Sequence, residues 1–557
     1  MRQRTIVVLG GAVAGLAAAA RAREQDENAR ILLVEKGRRV GHASCGLAYH
    51  ASGEVEDLAD LDRERTVLFE SIHGIEVATE AEAVEIAPAV RRVELRHSDD
   101  RIEEIEYDAL VYALGASSSS SLVPGLEGDN VCQFRTQADL DLLVAARERG
   151  ATRVAILGGG PLGVEAADGL LRAGLEVTLL ERSGKLLPRF GPEASTMARE
   201  ALLAMPGASV LLGVTADRAE QADGRVRSLI LSNGREIETD LVIEAVGLKP
   251  HTDLLARAGA RLADDDTLVI DSRAQTSLPG VFACGMCVSV TQFVNEAPVW
   301  WPQASIADKL AQVAGANAAG GDAHLVPAVG AKVIRAGEVS IGRAGLTHDE
   351  ARALLPQANL HETVVHAPAR EPFFPGSTPL TVSLLWDRQD GRLLGVEVGG
   401  ASGVDKRVDV SACALAGGMT IDALAGLDLA YAPPYSAARD PLNVAGSVAV
   451  AEFSGLAVGV LPESAHARRQ RYLMLDVRAG GSAGGQTIEG SLHLPLEILR
   501  ERLSEIDPTA QVIAWDDDGR RGYLGARILR QRGWSDAAFL AGGLVSWRLR
   551  GLPVTDR

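Results

Sequence analysis

The chain has 557 residues, 46% of them hydrophobic and 23% charged, a composition that excludes a disordered protein and predicts about three to four globular domains. Acidic residues outnumber basic ones by 74 to 56, giving a formal net charge of -18, so nucleic acid is not an expected partner. Five cysteines are too few for a disulfide-stabilised scaffold of this length, and we expect a reducing, cytoplasmic setting.

The N-terminal segment superficially resembles a signal peptide, because Arg2 and Arg4 precede an apolar run. Glycines interrupt this run at the spacing of a strand, a tight turn and a helix. No other stretch approaches the roughly 20 apolar residues that span a bilayer. We therefore expect a soluble protein without a membrane partner.

The same segment has the order of a nucleotide-binding βαβ motif. A β-branched, apolar run, TIVVL, is typical of a buried parallel strand and precedes an alanine-rich helix. Small residues occupy the three positions at which such a turn approaches a pyrophosphate: Gly10, Ala12 and Gly15. The next strand, ILLVE, ends at Glu35, where a carboxylate would accept ribose hydroxyls. This combination favours a dinucleotide site over a chance turn.

A second βαβ motif follows with full GxGxxG spacing in Gly158, Gly160 and Gly163, and its second strand ends at Glu181. Glu181 favours the free ribose 2'-hydroxyl of NADH and repels the 2'-phosphate of NADPH, although the adjacent Arg182 leaves NADPH as an alternative. Two dinucleotide sites imply two redox cofactors, most simply a flavin and a nicotinamide. Two structural motifs without ligands would need no carboxylate at both strand ends.

Two later strands end in small-residue turns, at Gly115 and Gly247, and the segment TSLPGVFACGMC, which contains Gly285, follows them. Together with the two glycine turns and the sequence GHASCGLAYH around Cys45, they resemble the two-dinucleotide-binding flavoprotein disulfide reductases. Within that group, the chain is most similar to the coenzyme A disulfide reductase and persulfide reductase family. The similarity continues through LDLAYAPPYSAARDPLNVAG and, near the C-terminus, YLMLDVR.

The resemblance implies an α/β fold with two Rossmann-like dinucleotide-binding domains, an α+β dimerisation domain and a C-terminal rhodanese-like α/β domain. It implies FAD as the flavin, with NADH as the reductant, and a homodimer. The expected boundaries are 1–120 with 248–324 for FAD binding, 121–247 for NAD(H) binding, 325–457 for dimerisation, 458–470 for a linker and 471–557 for the rhodanese-like domain.

Cys45 is the predicted redox nucleophile, because the family carries its single redox cysteine in a matching Cys-Gly-Leu motif. A thiol at the start of a helix is stabilised as thiolate by the helix dipole. Without the two nucleotide motifs, a lone cysteine would be interpreted as a buried, inert side chain. No CxxxxC pair is present, so a mixed disulfide, a persulfide or a sulfenic acid must serve as the oxidised form.

The resemblance also assigns residues to cofactor and substrate. Lys36 joins the FAD-binding residues, and Ser44, Tyr435 and Arg439 would contact the substrate. Tyr431 of a second subunit would lie near the cysteine as a proton donor. The small-molecule substrate would be a thiol-derived disulfide or persulfide.

Several positions depart from the family pattern. Met286 replaces an aspartate that bonds the flavin ribityl chain in the family, a loss of roughly 1 to 3 kcal/mol of binding if that hydroxyl is left unpaired. Phe373 and Phe374 replace two tyrosines, and Gly41 and Ser44 replace a serine and an asparagine. These departures leave the identity of the thiol open.

Two acid- or cysteine-rich segments are candidate metal or sulfur sites. Cys284 and Cys287 form a CxxC without a second pair, and we favour packing residues over a metal site. In the rhodanese-like domain, Asp516 replaces the persulfide-forming cysteine, so sulfur transfer is not expected. We interpret residues 516–518 as a solvated acidic loop, predict no metal site, and expect that deleting residues 471–557 leaves NADH-to-FAD reduction intact.

The leading functional prediction is an FAD-dependent NAD(P)H oxidoreductase that reduces a low-molecular-weight disulfide or persulfide through Cys45. One alternative is an NADH oxidase or peroxidase in which Cys45 cycles through sulfenic acid. A second alternative, from another class, is a flavin-poor interaction or sensor protein that keeps the fold but has lost function at Met286 and Asp516.

Overall fold

The computed structural model describes residues 3–61, 66–480 and 485–556. The chain forms two compact bodies: the N-terminal body contains Met1–Arg182 and Pro206–Ala328, and the C-terminal body contains Ser183–Met205 and Val329–Arg557. The predicted α/β class is confirmed. The domain boundaries expected from the sequence remain predictions. Among the described residues, no helix combines the length and apolarity that crossing a membrane requires.

The first βαβ motif builds a parallel sheet of five strands, in which the TIVVL strand is central and fully flanked. Its strands, in spatial order, are Val281–Ala283, Ala109–Tyr112, Thr5–Leu9, Arg30–Val34 and Glu76–Ala78. Helices Val13–Gln25 and Ala304–Ala318 pack together on this sheet. Gly315 permits their close approach, since a methyl group there would overlap the backbone of Ala18.

Smaller elements complete this half of the N-terminal body. They are the antiparallel strands Ala81–Ala87, Arg92–His97 and Ile102–Glu106, the paired strands Ala116–Ser118 with Leu248–Pro250 and Val290–Thr291 with Pro298–Val299, and the helices Leu47–Ser52, Thr66–His73 and Asp253–Arg257.

The second βαβ motif repeats this architecture, as the sequence predicts. Its five parallel strands, in spatial order, are Ala208–Leu212, Glu176–Glu181, Arg153–Leu157, Leu241–Glu244 and Val131–Cys132. Helices Gln137–Glu148 and Pro161–Arg172 accompany it, together with an antiparallel sheet of Ala216–Ala222, Arg225–Leu231 and Glu236–Glu238.

The C-terminal body begins with an antiparallel sheet whose inner strands are almost continuously buried. Its strands, in spatial order, are Lys332–Ala336, Val339–Gly345, Leu393–Gly400, Pro379–Asp387 and Leu360–Pro368. Its helices are Pro192–Leu203, His348–Leu354, Val404–Ala416, Ile421–Ala425 and Pro441–Phe453. A buried ion pair, Arg407 Nη2 to Asp440 Oδ2 at 2.8 Å, joins two of these helices.

A second, parallel sheet ends the chain. Its strands, in spatial order, are Gly459–Val460, Ala538–Leu540, Val512–Trp515, Leu473–Asp476 and Leu492–His493. Helices Pro462–Ala467, Arg520–Gln531 and Gly543–Leu549 surround it, and Gln486–Thr487 pairs with Thr555–Asp556.

The predicted linker, 458–470, is part of this C-terminal fold. Gly459 and Val460 form the edge strand of the sheet by pairing with Phe539 and Leu540, and a helix follows directly. In the structure this segment thus contains a strand and a helix, while its assignment as the boundary between two domains remains a prediction. Its proline, serine and arginine content indicated a loop, but the deciding interaction comes from a strand that is distant in the sequence.

Candidate active site

The two glycine turns have the same backbone geometry. Gly10 has a φ of 102° and Gly158 a φ of 106°, values that favour glycine. A methyl group at Gly15 would overlap the carbonyl of Gly10, and one at Gly163 would overlap that of Gly158. Each helix start therefore packs directly on its own turn, and both turns require glycine for steric reasons.

A carboxylate closes each turn from the end of the neighbouring strand. Glu35 Oε2 accepts a hydrogen bond from the Gly11 amide at 2.7 Å, and Glu181 Oε2 accepts one from the Gly159 amide at 2.7 Å. The sequence predicted these carboxylates only as ribose acceptors. The structure gives each a second task, which is to hold the turn that a pyrophosphate would contact.

The turns fit the pyrophosphates of FAD and NAD(P)H. The residues that cap the two helices, Ala12 and Gly160, place no side-chain oxygen on the first helical amides. These donors are therefore left for phosphate oxygens, which the positive end of the helix also attracts. Each motif thus combines a glycine turn, a helix without a side-chain N-cap and a carboxylate at the end of the neighbouring strand.

Each of the two glycine turns packs against a later turn of the chain, and the two pairs of turns are arranged alike. Gly10 packs on Ala113, two residues before Gly115, and Gly158 packs on Ala245, two residues before Gly247. Gly115 and Gly247 both have a positive φ, 68° and 137°. Each predicted cofactor site is thus formed by two turns in contact.

Gly285, also predicted to contact FAD, lies against the first glycine helix. It has a φ of 86°, and a methyl group there would press on the side chain of Ala14 in the first glycine helix. Lys36, also predicted to contact FAD, is exposed and pairs with Glu82 at 2.8 Å. The Lys36 side chain is therefore held at the protein surface by this ion pair.

Met286 lies beside a cation that the sequence analysis did not identify. Arg135 Nη2 is 3.9 Å from Met286 Sδ and 3.4 Å from the carbonyl oxygen of Ala116. Burial lowers the pKa of Arg135. The main-chain oxygen of Met286 accepts a hydrogen bond from Trp300 Nε1 at 3.0 Å. The guanidinium of Arg135 therefore lies beside Met286, the residue that replaces the family's aspartate.

Cys45 is exposed, in a single turn, Ser44–Gly46, directly before the helix Leu47–Ser52. This helix packs on the helix Pro161–Arg172 of the second βαβ motif. Gly169 makes the packing possible, because a methyl group there would overlap the backbone of Ala48. Gly169 was not singled out from the sequence, although a glycine inside a helix signals a close contact.

The other cysteines of the N-terminal body are buried. Burial raises the pKa of Cys132 and of Cys287 to about 12, and raises that of Cys284 well above its ordinary value. Cys287 Sγ lies 3.2 Å from the carbonyl oxygen of Cys284. These thiols are protonated and packed, which supports the packing interpretation of the CxxC. Among the described residues, no group of three or more ligand side chains could hold a metal ion.

Ser44, a predicted substrate residue, lies in the N-terminal body, whereas Tyr435 and Arg439 lie in the C-terminal body with Tyr431. The side chains of Tyr431, Tyr435 and Arg439 are exposed. Phe373 is exposed to the same extent as Tyr435. Desolvation and a hydrogen bond to Glu371 raise the pKa of Tyr431. Glu371 also accepts a hydrogen bond from the amide of Ala438 at 2.8 Å, so this carboxylate links the two segments that carry the aromatic residues.

The C-terminal loop corrects the expectation of a solvated acidic run. Asp516 is only 3% exposed, and its carboxylate accepts hydrogen bonds from the amides of Arg521 at 3.1 Å and Gly522 at 3.0 Å. Burial raises its pKa to about 7. Asp517 and Asp518 are exposed, as expected. The amides at this helix start, which could cradle an anionic sulfur, are thus occupied by the aspartate itself.

The backbone around Asp516 packs closely against the residues at 543 and 544. The amide of Leu544 donates to the Asp516 carbonyl at 2.8 Å, and a methyl group at Gly543 would overlap the same carbonyl. Close by, His366 Nε2 is 2.9 Å from Ser546 Oγ, and burial lowers the pKa of His366 to about 4. This loop is therefore built as packed, hydrogen-bonded structure.

Comparison with known families defines the class of protein. Residues 4–317 match the model for pyridine nucleotide-disulphide oxidoreductases, residues 336–442 match the dimerisation domain of the same family, and residues 461–550 match a rhodanese-like domain. The chain belongs to the pyridine nucleotide-disulphide oxidoreductase family. This confirms the family resemblance, the oxidoreductase class and the cofactor pair that the family uses, FAD and NAD(P)H.

Individual relatives narrow the comparison. An NAD(P)H sulfur oxidoreductase (CoA-dependent) of Pyrococcus abyssi is 31% identical over 452 residues, which is 80% of this chain and 98% of the relative. The crystal structure of reduced Bacillus anthracis CoADR-RHD aligns over 99% of this chain and 98% of its own, with a TM-score of 0.94 and 27% identity. An NAD-dependent persulfide reductase from A. fulgidus aligns over 98% of this chain and 100% of its own, with a TM-score of 0.91 and 30% identity.

Replacing Asp516 with asparagine is expected to change how stability depends on pH. The fold raises this pKa from 3.8 to about 7, so the protonated acid is favoured in the folded state. The aspartate therefore lowers the free energy of unfolding progressively as pH rises from about 4 to about 7. In thermal unfolding of the full chain, the wild-type Tm minus the Asp516→Asn Tm should be smaller at about pH 8 than at about pH 5. Asp536→Asn, on an exposed residue of the same domain, is the control, and an equally pH-dependent difference for both variants would contradict this assignment.

Proposed function

We propose that the protein is an FAD-dependent NAD(P)H oxidoreductase that reduces a low-molecular-weight disulfide or persulfide, of coenzyme A or a related thiol, through Cys45. The observation that carries the proposal is the position of this thiol. Cys45 is the exposed cysteine of the N-terminal body, and it precedes a helix that packs on the second nucleotide motif. Cys132, Cys284 and Cys287 are buried with raised pKa values, which makes them unsuitable as nucleophiles.

Each nucleotide motif has a defined part in this proposal. The turn at Gly10, with Glu35, would hold the FAD pyrophosphate and ribose, and the turn at Gly158, with Glu181, would do the same for NAD(P)H. FAD, when bound, supplies the two-electron chemistry that connects a nicotinamide to a thiol. The glycines exclude side chains from both turns, so the protein binds the two cofactors mainly through backbone amides.

Cys45 performs the sulfur chemistry. Its thiolate attacks one sulfur of the substrate disulfide, the substrate S–S bond breaks, and one thiol leaves as a mixed disulfide with Cys45 forms. Two electrons from NAD(P)H then cleave the mixed disulfide, releasing the second thiol and regenerating the Cys45 thiolate. The sum is NADH, one proton and a disulfide giving NAD⁺ and two thiols, and a persulfide gives a thiol and hydrogen sulfide in the same way.

The C-terminal body would supply the remaining groups through a homodimer. Tyr431 of the partner subunit would donate a proton to the leaving thiolate, while Ser44, Tyr435 and Arg439 would contact the substrate. The match to a dimerisation domain supports this arrangement. The names of the Pyrococcus and A. fulgidus relatives support a sulfur substrate, and the former supports a coenzyme A thiol.

Cys45→Ser is expected to separate the two halves of the reaction. The FAD-loaded variant should still be reduced by NADH, because the nucleotide turns are unchanged. Reduction of coenzyme A disulfide and of coenzyme A persulfide should fall at least about a hundredfold, because a hydroxyl does not replace a thiolate as a nucleophile here. Both steps are followed by flavin and NADH absorbance under anaerobic conditions.

Cys413→Ser is the matched control, since Cys413 is the exposed cysteine of the C-terminal body. Wild-type disulfide and persulfide turnover in Cys45→Ser would contradict the proposal. Rapid NADH consumption with oxygen, lost in Cys45→Ser, together with inert sulfur substrates would favour the oxidase or peroxidase alternative. A wild-type chain that binds no FAD would favour the interaction or sensor alternative.

Glu181→Gln is expected to relax the choice between nicotinamides. The glutamine can still accept the hydrogen bond from the Gly159 amide, but it no longer repels a 2'-phosphate. The ratio of kcat/KM for NADPH to that for NADH should rise about tenfold, which is ~1.4 kcal/mol. Glu176→Gln, at the exposed start of the same strand, is the control. Equal kcat/KM for the two nicotinamides in the wild-type protein would show that Glu181 does not select NADH.

A further inference from the structure

Glu181 is the last residue of a strand, and the segment that follows it leaves the sheet to which that strand belongs. Strands Glu176–Glu181 and Ala208–Leu212 pair in the N-terminal body, whereas the residues between them, Ser183–Met205, belong to the C-terminal body. We call Ser183–Met205 the inserted segment. It contains the helix Pro192–Leu203, the inserted helix. Glu181, the residue assigned to the NAD(P)H ribose, is therefore followed almost directly by a segment that belongs to the C-terminal body.

A single arginine of the rhodanese-like domain binds the inserted helix. Arg550 Nε contacts Glu193 Oε1 at 2.6 Å, Nη2 contacts Glu362 Oε1 at 3.0 Å, and Nη1 contacts Glu463 Oε2 at 2.7 Å. The side chains of Arg550 and Glu193 are 4% and 5% exposed. One guanidinium thus joins the inserted helix, a strand of the antiparallel sheet and the first helix of the C-terminal fold.

The antiparallel sheet holds the start of the same helix. Glu397 accepts a hydrogen bond from the Gly191 amide at 2.8 Å, Arg343 donates to the carbonyl of Arg189, and the Lys332 ammonium lies 5.9 Å from the centre of the Phe190 ring. The inserted segment is therefore fixed by several buried charges.

Arg550 compensates a group of neighbouring carboxylates. Burial raises the pKa of Glu193, Arg550 opposes that shift, and Glu362 adds to it. Burial also raises the pKa of Glu397 to about 7, and both Glu362 and Glu193 add to that shift. The carboxylates thus oppose ionisation at Glu193 and Glu397, and Arg550 is the cation that compensates Glu193 and Glu362 where the inserted helix meets the sheet.

We propose that Arg550 is a positioning residue for the NAD(P)H site, through which the rhodanese-like domain fixes the segment after Glu181 and so sets the affinity for the nicotinamide. The inference rests on the proposed function only for the role of Glu181. It gives the rhodanese-like domain a task that requires no sulfur-carrying cysteine. It also replaces the expectation that residues 471–557 can be deleted without effect on NADH-to-FAD reduction.

The test uses the full chain loaded with FAD, without any sulfur acceptor. Flavin reduction is followed by anaerobic stopped-flow absorbance over a range of NADH concentrations, which yields a Kd for NADH and a limiting rate. Arg550→Met removes the cation and keeps its bulk. Glu193→Gln removes only the negative charge that Arg550 meets on the inserted helix, and provides a milder variant in case Arg550→Met does not fold.

Glu463→Gln is the matched control, because it makes the same change at the half-exposed partner of the same arginine. We expect the Kd for NADH to rise at least about fivefold in Glu193→Gln and in folded Arg550→Met. FAD content should stay at the wild-type level, and Glu463→Gln should remain within about twofold of wild type, since a half-exposed pair contributes little.

A Kd within about twofold of wild type in Glu193→Gln would overturn the inference, whatever happens to the Tm, because a purely structural contact would change stability alone. Wild-type flavin that NADH does not reduce would overturn the proposed function, and the inference with it. Wild-type flavin that NADH reduces, with unchanged Kd in the variants, would overturn the inference alone.

Discussion

A hydrogen bond from a glycine-turn amide to a strand-end carboxylate occurs twice in this protein, and both proposed cofactor sites depend on it. Glu35 and Glu181 make the same contact at the same distance, to Gly11 and Gly159. Hydrogen bonds to charged groups contribute about 1.5–3 kcal/mol each, which is enough to hold a short turn in one shape. The carboxylate also keeps the turn close to the helix start, where the free amides face outward for a phosphate.

The segment that carries Cys45, the proposed redox thiol, is linked to the second of these motifs by packing. Gly169, inside the second nucleotide helix, leaves room for the backbone of Ala48, three residues after Cys45. The short helix that follows Cys45 is therefore fixed by the motif assigned to the nicotinamide. At the same time, burial keeps Cys132, Cys284 and Cys287 protonated. Among the cysteines of this body, Cys45 is thus the exposed one.

The sequence predicted the features that are local in the chain. The strand TIVVL is Thr5–Leu9 in the structure as well, and Gly15 and Gly163 are required by contacts with Gly10 and Gly158 in their own motifs. Such features follow from residue spacing, because a strand, a turn and a helix are consecutive. The contact of each carboxylate with its turn needed the structure, since it depends on which backbone amide the side chain reaches.

Features that depend on distant residues could not be predicted. The acidity of residues 516–518 indicated solvent, but Asp516 is buried because the chain near Leu544 folds over it. Gly459 and Val460 look like linker until Phe539 and Leu540 pair with them. Arg135 beside Met286 and Arg550 beside Glu193 are likewise brought together only by the fold.

The central claim is that one thiol, Cys45, carries the substrate sulfur and passes it back as a thiol at the expense of NADH. Intact-protein and peptide mass spectrometry of the FAD-loaded chain, after incubation with coenzyme A disulfide, tests it most directly. We expect one coenzyme A adduct per chain, on Cys45, that disappears when NADH is added under anaerobic conditions. An adduct on Cys413 instead, or a Cys45 adduct that NADH leaves in place, would contradict it.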